Sequence, residues 1–277
     1  MMFRSAVLAT AAVLILAAPA AGQLTAPHRA ALEQAVASST RKPANTARDR
    51  YRNPVGTLSF LGVKPTDTVV EIFPGGGWYS EILAPYVTGK GGTYYAAAPE
   101  RGLTAFRSLQ QASPTTYSAA KTAIFPVRAA GEAGVPDGSA DVVLTFRNVH
   151  NWLMGEQPYA ELAFRQMFAM LKPGGTLGVV EHRLPETADS AREKNSGYLK
   201  TSTVRRLAEQ AGFRFVAESQ INANPKDTTD HPDGVWTLPP TLELGDKDRA
   251  KYLAIGESDR MTLKFMKPVS PPTTSAN

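Results

Sequence analysis

Thr68-Val69-Val70-Glu71-Ile72-Phe73-Pro74-Gly75-Gly76-Gly77 decides the reading of this chain. Thr68 to Phe73 is rich in β-branched and apolar side chains and reads as a buried strand. Pro74 closes it, because proline has no N–H to give to a ladder. Three glycines follow, and Trp78 to Val87 then reads as a helix. A glycine loop between a strand and a helix N-terminus lets a ligand approach the backbone closely and meet free N–H groups.

The same alternation continues downstream. Thr93–Ala98, Thr122–Arg128, Asp141–Phe146, Thr176–Glu181 and Phe213–Glu218 read as strands, and Glu100–Gln111, Tyr159–Leu171 and Ser202–Ala211 as helices. Val135-Pro136-Asp137-Gly138 and Lys172-Pro173-Gly174-Gly175 are turn sequences between them. Strands alternating with helices predict an α/β domain with a parallel, doubly wound sheet. Asn222 to Asp259 breaks the pattern as a polar insertion, with Lys251–Ile255 expected as a short lid helix. It leads to a last strand, Met261–Phe265, expected to run antiparallel at the sheet edge. Upstream, Pro27 to Ser38 has helical spacing. The charged stretch Arg48-Asp49-Arg50-Tyr51-Arg52-Asn53 reads either as a cap folded over a ligand edge or as a salt-bridged helix face.

At the N-terminus Arg4 precedes an uncharged apolar run, Ala6 to Ala18, and Ala18-Pro19-Ala20-Ala21 supplies small residues for cleavage. Residues 1–22 are therefore expected to be a signal peptide, and the protein exported to the periplasm of a bacterium. The run is short of the about 20 residues of a membrane span, so no stable membrane insertion is expected after cleavage. The remaining organisation is a 23–56 helical extension or cap, a domain over 57–268 with a lid-like insertion at 222–259, and a disordered tail at 269–277. The chain has no cysteine, which excludes thiolate metal sites and a thiol nucleophile. Its 30 basic residues against 25 acidic ones form no dense block, so nucleic acid is not an expected partner.

These motifs resemble class I S-adenosylmethionine (SAM)-dependent methyltransferases. In that family the first strand ends in an acidic residue and a glycine loop, matched here by Glu71, Gly75 and Gly77. Pro136 to Asp141 matches the segment before its fourth strand, and Leu171-Lys172-Pro173-Gly174-Gly175 the one before its fifth. Glu71 to Ser80, Thr145 to Trp152 and Glu181-His182-Arg183 are similar, more narrowly, to a group of exported bacterial proteins described as predicted methyltransferases. The resemblance implies a Rossmann-like, seven-stranded, mostly parallel sheet whose last strand is antiparallel. It also implies SAM as cofactor, with Glu71, Phe73, Pro74, Gly75, Gly76, Gly77 and Asn148 around it. Two positions depart from the family: Phe73 replaces the first loop glycine, and Ala98 the acidic residue that ends the second strand. Glu100 and Glu132 are the stand-ins for the ribose and adenine carboxylates.

Ligands of open parallel sheets bind beyond the carboxyl ends of the strands. Arg147-Asn148-Val149-His150-Asn151-Trp152 is the densest polar cluster expected there. His150 is read as a general base, with Asn148 assisting, or as a structural histidine bonded to the backbone. Tyr79, Arg147, Asn151 and His182 are candidates for the substrate side, Arg147 alternatively as an ion-pair partner of Glu71 or Glu181. Trp152 is expected to pack beneath the next helix. His231, beside Asp230 and Asp233, is expected in a solvated loop, and no metal is expected. The leading expectation is an exported methyltransferase with a small-molecule substrate; the alternative is a non-catalytic binding protein on the same fold. A nicotinamide dehydrogenase is disfavoured because Ser80 stands where the third glycine of its fingerprint belongs.

Overall fold

The computed structural model describes residues 24–269. The expected signal segment 1–22 and residues 270–277 of the expected tail lie outside the described residues.

Eight strands form one sheet: β1 Thr68–Ile72, β2 Thr93–Ala97, β3 Lys121–Ala123, β4 Ala140–Phe146, β5 Leu171–Leu184, β6 Leu199–Lys200, β7 Arg214–Ser219 and β8 Arg260–Met266. Their order is β3-β2-β1-β4-β5-β8-β7, with β6 pairing beside this path to β5. From β3 to β5 the pairs are parallel, whereas β8 is antiparallel to both β5 and β7. The seven-stranded mixed sheet expected from the sequence is therefore present, with β6 added. One expectation is corrected. The last strand is not the edge but lies between β5 and β7. Every residue of β8 except Met266 is buried, while β7 is half-exposed along most of its length. The more buried strand takes the interior place.

Successive residues serve opposite faces, as a pleated strand requires. Val70, Val143 and Val179 pack under the helices Ala160–Met170 and Thr201–Gln210. Val69, Val142 and Val180 pack under Ala26–Val36, Pro54–Leu61, Ser80–Thr88 and Thr104–Ala112. Burial on both faces explains why these strands read as nearly continuous apolar runs. Helix Pro54–Leu61 comes so close to β5 that a Cβ at Gly178 would sit 2.7 Å from Leu61 Cδ1.

Two strand limits also differ from expectation. β3 ends at Ala123, not Arg128, since Pro126 has no N–H with which to continue the ladder. Lys172 to Gly175 does not leave the sheet. It forms the start of β5, with a register shift against β4 between Ala140 and Val142.

The polar insertion is organised around a buried polar centre, so the loop at His231 is not solvated. Its centre is the buried Asp227 carboxylate, which accepts from Tyr198 Oη (3.0 Å), Thr229 N (2.9 Å) and Asp259 N (2.8 Å) and lies 2.8 Å from His231 Nε2. A buried carboxylate is tolerable when bonded in this way, and the loop closes around it. Asn222 Nδ2 donates to Thr57 Oγ1 and Thr262 Oγ1, tying the insertion to helix Pro54–Leu61 and to β8. The expected short helix is present as Arg249–Ile255. No described helix is long and apolar enough to cross a membrane.

Candidate functional site

The sheet register brings the strand ends to a common rim. Ile72 lies opposite Ala97 on one side and Thr145 on the other, and Phe146 opposite Val180. The residues that follow, Phe73, Ala98, Arg147 and Glu181, therefore share one edge. Two cavities open there, of about 310 and 450 Å³, and Phe73 lines both.

The glycine loop forms part of the smaller cavity. Glu71, Phe73, Pro74, Gly75, Gly76 and Tyr79 all line it. A Cβ built on Gly75 or Gly76 would meet nothing within 4 Å, so this backbone faces open space. Gly77 has another reason to be glycine: a Cβ there would lie 2.7 Å from Leu109 Cδ1, and it lines neither cavity. Phe73 keeps a φ of 52° and Arg147 a φ of 62°. Left-handed backbone costs an L-residue about 1–2 kcal/mol, so local strain sits at the ends of the two adjacent strands β1 and β4. The Phe73 ring leans on the buried Phe125 and Trp152, with centroids 6.2 and 6.0 Å away, and divides the two cavities. Trp152 is fully buried and also packs against Phe164 of the following helix, as expected. Glu71 accepts from Tyr94 Oη (2.5 Å) and Ser80 Oγ (2.8 Å). Burial pushes its carboxyl up to about 7, against the pull of those two bonds.

Beyond β4 the chain turns back over β1. Asn148 Nδ2 donates to Ile72 O (3.0 Å) and Thr145 Oγ1 (3.1 Å), locking the two strand ends together. Glu181, fully buried on β5, accepts from Val149 N (2.7 Å), His150 N (3.3 Å) and His182 N (2.8 Å). Its Oε1 also lies 2.9 Å from His150 Nδ1. A carboxylate there holds the proton on Nδ1, which leaves His150 Nε2 as the basic nitrogen. His182 stands with its ring centroid 5.2 Å from that of His150 and its Nδ1 2.5 Å from Ser258 Oγ. Burial, reinforced by His150, Arg147 and Arg260, pushes His182 well below its ordinary value, so it is neutral. Asn151, exposed, completes this wall.

His150, Glu181 and His182 place possible ligand atoms within 4.8 Å of one another, the one metal-sized group among the described residues. The donor set suits a cation poorly. Glu181 already receives several N–H groups, and guanidinium charge surrounds the cavity. We assign Glu181 the role of orienting His150. His231 joins no such group; its side chain is packed against Asp227 and is not solvated as expected.

The N-terminal charged stretch and the insertion close the cavity. Glu257, 3% exposed, receives Arg48 Nε (2.5 Å), Arg52 Nε (3.3 Å) and Arg260 Nη2 (2.9 Å). Burial alone would raise its pKa, but Arg260, Arg52 and Arg48 outweigh burial and hold it at about 2. Arg52 also lies over the Trp78 ring, 4.7 Å from its centroid. The stretch thus forms ion pairs, and Arg48 and Arg52 also line the cavity. Yet Nη2 of Arg48 and of Arg52 are buried without a hydrogen-bond partner among the described residues. Each unmade bond of this kind costs about 1–3 kcal/mol. Arg147 makes no side-chain hydrogen bond or ion pair among the described residues; burial and then Arg260 draw it down to about 10, and a guanidinium remains charged there. Arg183, next to His182, turns to Asp259, Glu218 and Gln220.

The larger cavity lies beyond β2 and β3, lined by Pro99, Glu100, Arg101, Ile124, Glu132 and Tyr159 among others. Ala98 is buried and offers no carboxylate. Glu100 is paired with Arg107, whose guanidinium lowers its pKa. Glu132 accepts from the N–H groups of Arg128 (2.6 Å) and Ala129 (3.1 Å) of its own turn. Both stand-in carboxylates line the cavity and are already engaged.

Sequence reasoning did not place Trp236, Pro239, Pro240, Glu257 or Ser258 at the site, though all line the smaller cavity. A tryptophan followed closely by two prolines inside a polar insertion was the available signal.

The fold is similar to that of a SAM-dependent methyltransferase from Aquifex aeolicus, at 14% identity and a TM-score of 0.51, covering 86% of this chain and 98% of that one. A SAM-dependent methyltransferase from Methanosarcina mazei aligns at 12% identity and 0.50, over 75% and 95% of the two chains. The [4+2]-cyclase SpnF aligns at 14% and 0.50, over 74% and 76%. No family model and no curated protein matches the chain. Identities this low speak to architecture, and the sheet order agrees: the chain has the Rossmann-like fold of the class I SAM-dependent methyltransferases.

Proposed function

We propose that this protein is a SAM-dependent methyltransferase acting on a small-molecule acceptor. One observation carries the reading: two cavities meet at Phe73 along the ends of β1, β2 and β4, with open space above Gly75 and Gly76. The residues fit the cofactor in space. Glu71 and the Phe73–Gly76 backbone would hold its amino-acid part, and Glu100 and Glu132 would face its nucleoside part. When bound, SAM supplies an electrophilic methyl group.

The chain's own residues supply orientation and a base. Tyr79 stacks on Phe146 with centroids 3.5 Å apart, a rigid aromatic wall. Asn148 fixes the strand ends, and Glu181 fixes the tautomer of His150, so that Nε2 can take a proton from an acceptor hydroxyl or amine. General-base assistance contributes about 10²–10⁴-fold, and positioning can contribute more. Arg147, Asn151 and His182 would contact the acceptor.

A second reading, a protein of this fold that binds another ligand without methyl transfer, is favoured by Ala98 and by the engaged state of Glu100 and Glu132. Thermal-shift measurements separate the two. Stabilisation by S-adenosylhomocysteine, with none by NAD, supports the methyltransferase; no stabilisation at millimolar ligand favours the second reading. Export belongs to the proposal as well. Cell fractionation should find the protein in the periplasm with a mature N-terminus near residue 23, and an intact cytoplasmic chain would refute that part.

A further inference from the structure

The smaller cavity holds more positive charge than the protein balances. Arg48, Arg52 and Arg147 line it, with Arg260 behind them, and Glu257 is the carboxylate that Arg48, Arg52 and Arg260 share. Arg52 is 2% exposed, yet its Nη2, like that of Arg48, has no partner among the described residues. Arg147 is unpaired among the described residues, on backbone held at a φ of 62°. Neighbouring like charges repel, and unbonded buried donors oppose folding. A ligand with the opposite charge would remove both penalties. A guanidinium presents a planar fork of donors that matches the paired oxygens of a carboxylate or phosphate.

We propose that the ligand of this cavity is a small oxyanion, a molecule bearing a carboxylate or phosphate, held by Arg147 and the free Nη2 groups of Arg48 and Arg52. The inference rests on the methyltransferase reading only in naming that ligand the acceptor. The carboxylate of SAM has the same chemistry. SAM also brings an ammonium and a sulfonium, however, so its arrival leaves the cavity still cationic, and an anionic acceptor balances both.

The test is calorimetric titration of the full chain with inorganic phosphate and with succinate, each alone and at saturating S-adenosylhomocysteine. At least one anion should bind in both conditions. Arg147→Gln should weaken that binding by more than about tenfold while raising the melting temperature of the ligand-free protein, because it removes an unbalanced charge. Arg165→Gln, the same charge change at an exposed site, should alter neither. Should Arg147→Gln fail to fold, Arg48→Lys keeps a cation beside Glu257 and removes the free Nη2, and the same loss of binding is expected. No anion binding, or binding indifferent to these variants, overturns the proposal. So does anion binding abolished by S-adenosylhomocysteine, since the arginines would then hold the methionine carboxylate. If S-adenosylhomocysteine itself does not bind while the arginine-dependent anion site persists, the methyltransferase reading falls and the oxyanion site stands.

Discussion

On one side of Phe73 the charged groups are buried and interlocked; on the other they are exposed and tied to their own loops. Glu257 joins its sequence neighbour Arg260 to Arg48 and Arg52, which come from the far N-terminal stretch. Glu100 and Glu132 instead bond within their own segments. Ionic groups in the first cavity are therefore part of the fold, and changing them should act on stability and binding together. In the second cavity they should act on binding alone.

The largest effect is expected at Glu257. Replacement by glutamine leaves the buried Arg52 and Arg260 and the half-buried Arg48 around a neutral group and should cost about 3–5 kcal/mol in urea denaturation. The pH dependence has a definite sign. A carboxylate held at about 2 in the fold stabilises the protein above its ordinary value near 4.5, and that contribution is lost as pH falls from there towards 2. A Glu257→Gln variant as stable as the parent at neutral pH would erase the contrast between the cavities.

Glu71, in the same cavity, should behave oppositely. Its folded value of about 7 lies above the ordinary 4.5, so the folded state loses stability as pH rises through that window. Glu71→Gln should remove this loss, making the variant more stable than the parent by about 2–3 kcal/mol at pH 8, provided Tyr94 and Ser80 stay bonded. Identical pH profiles for the two proteins would contradict the burial of an ionisable Glu71.

His182 gives a smaller, spectroscopic signal. Its depressed pKa keeps the ring neutral, so NMR should show no protonation step at or above pH 6.5. The unfolded ring does protonate near 6.5, and His182 therefore withdraws stability as pH falls below that value. A ring that titrates at its ordinary position would mean that the cavity is wetter and less cationic than described.

The smallest effect is expected on the far side of Phe73. Glu100→Gln should leave stability unchanged, because the pair with Arg107 is exposed. It should still weaken S-adenosylhomocysteine a few-fold if the larger cavity takes a nucleoside.

Sequence reading reached the parts of the site that local pattern encodes. Glu71, the glycine loop and the Arg147–Asn151 segment were legible because a strand end followed by polar residues has a fixed meaning in a parallel sheet. The interior place of β8 was not, since edge and interior differ in tertiary burial. Nor was the Arg52–Glu257 pair, whose members are separated by 205 residues. The insertion read as solvated from its composition, because Asp227 and its partners are individually polar and become core only when bonded to one another.

The most direct test is calorimetric titration of S-adenosylhomocysteine into the protein and into Gly76→Leu. Gly76 has open space and unstrained backbone, so leucine should enter the ligand space without unfolding the loop. Micromolar binding to the parent, lost in a variant of unchanged melting temperature, is the expected result. No heat from the parent at millimolar ligand, or equal binding by both proteins, would contradict the assignment of the Phe73–Gly76 rim as a SAM site.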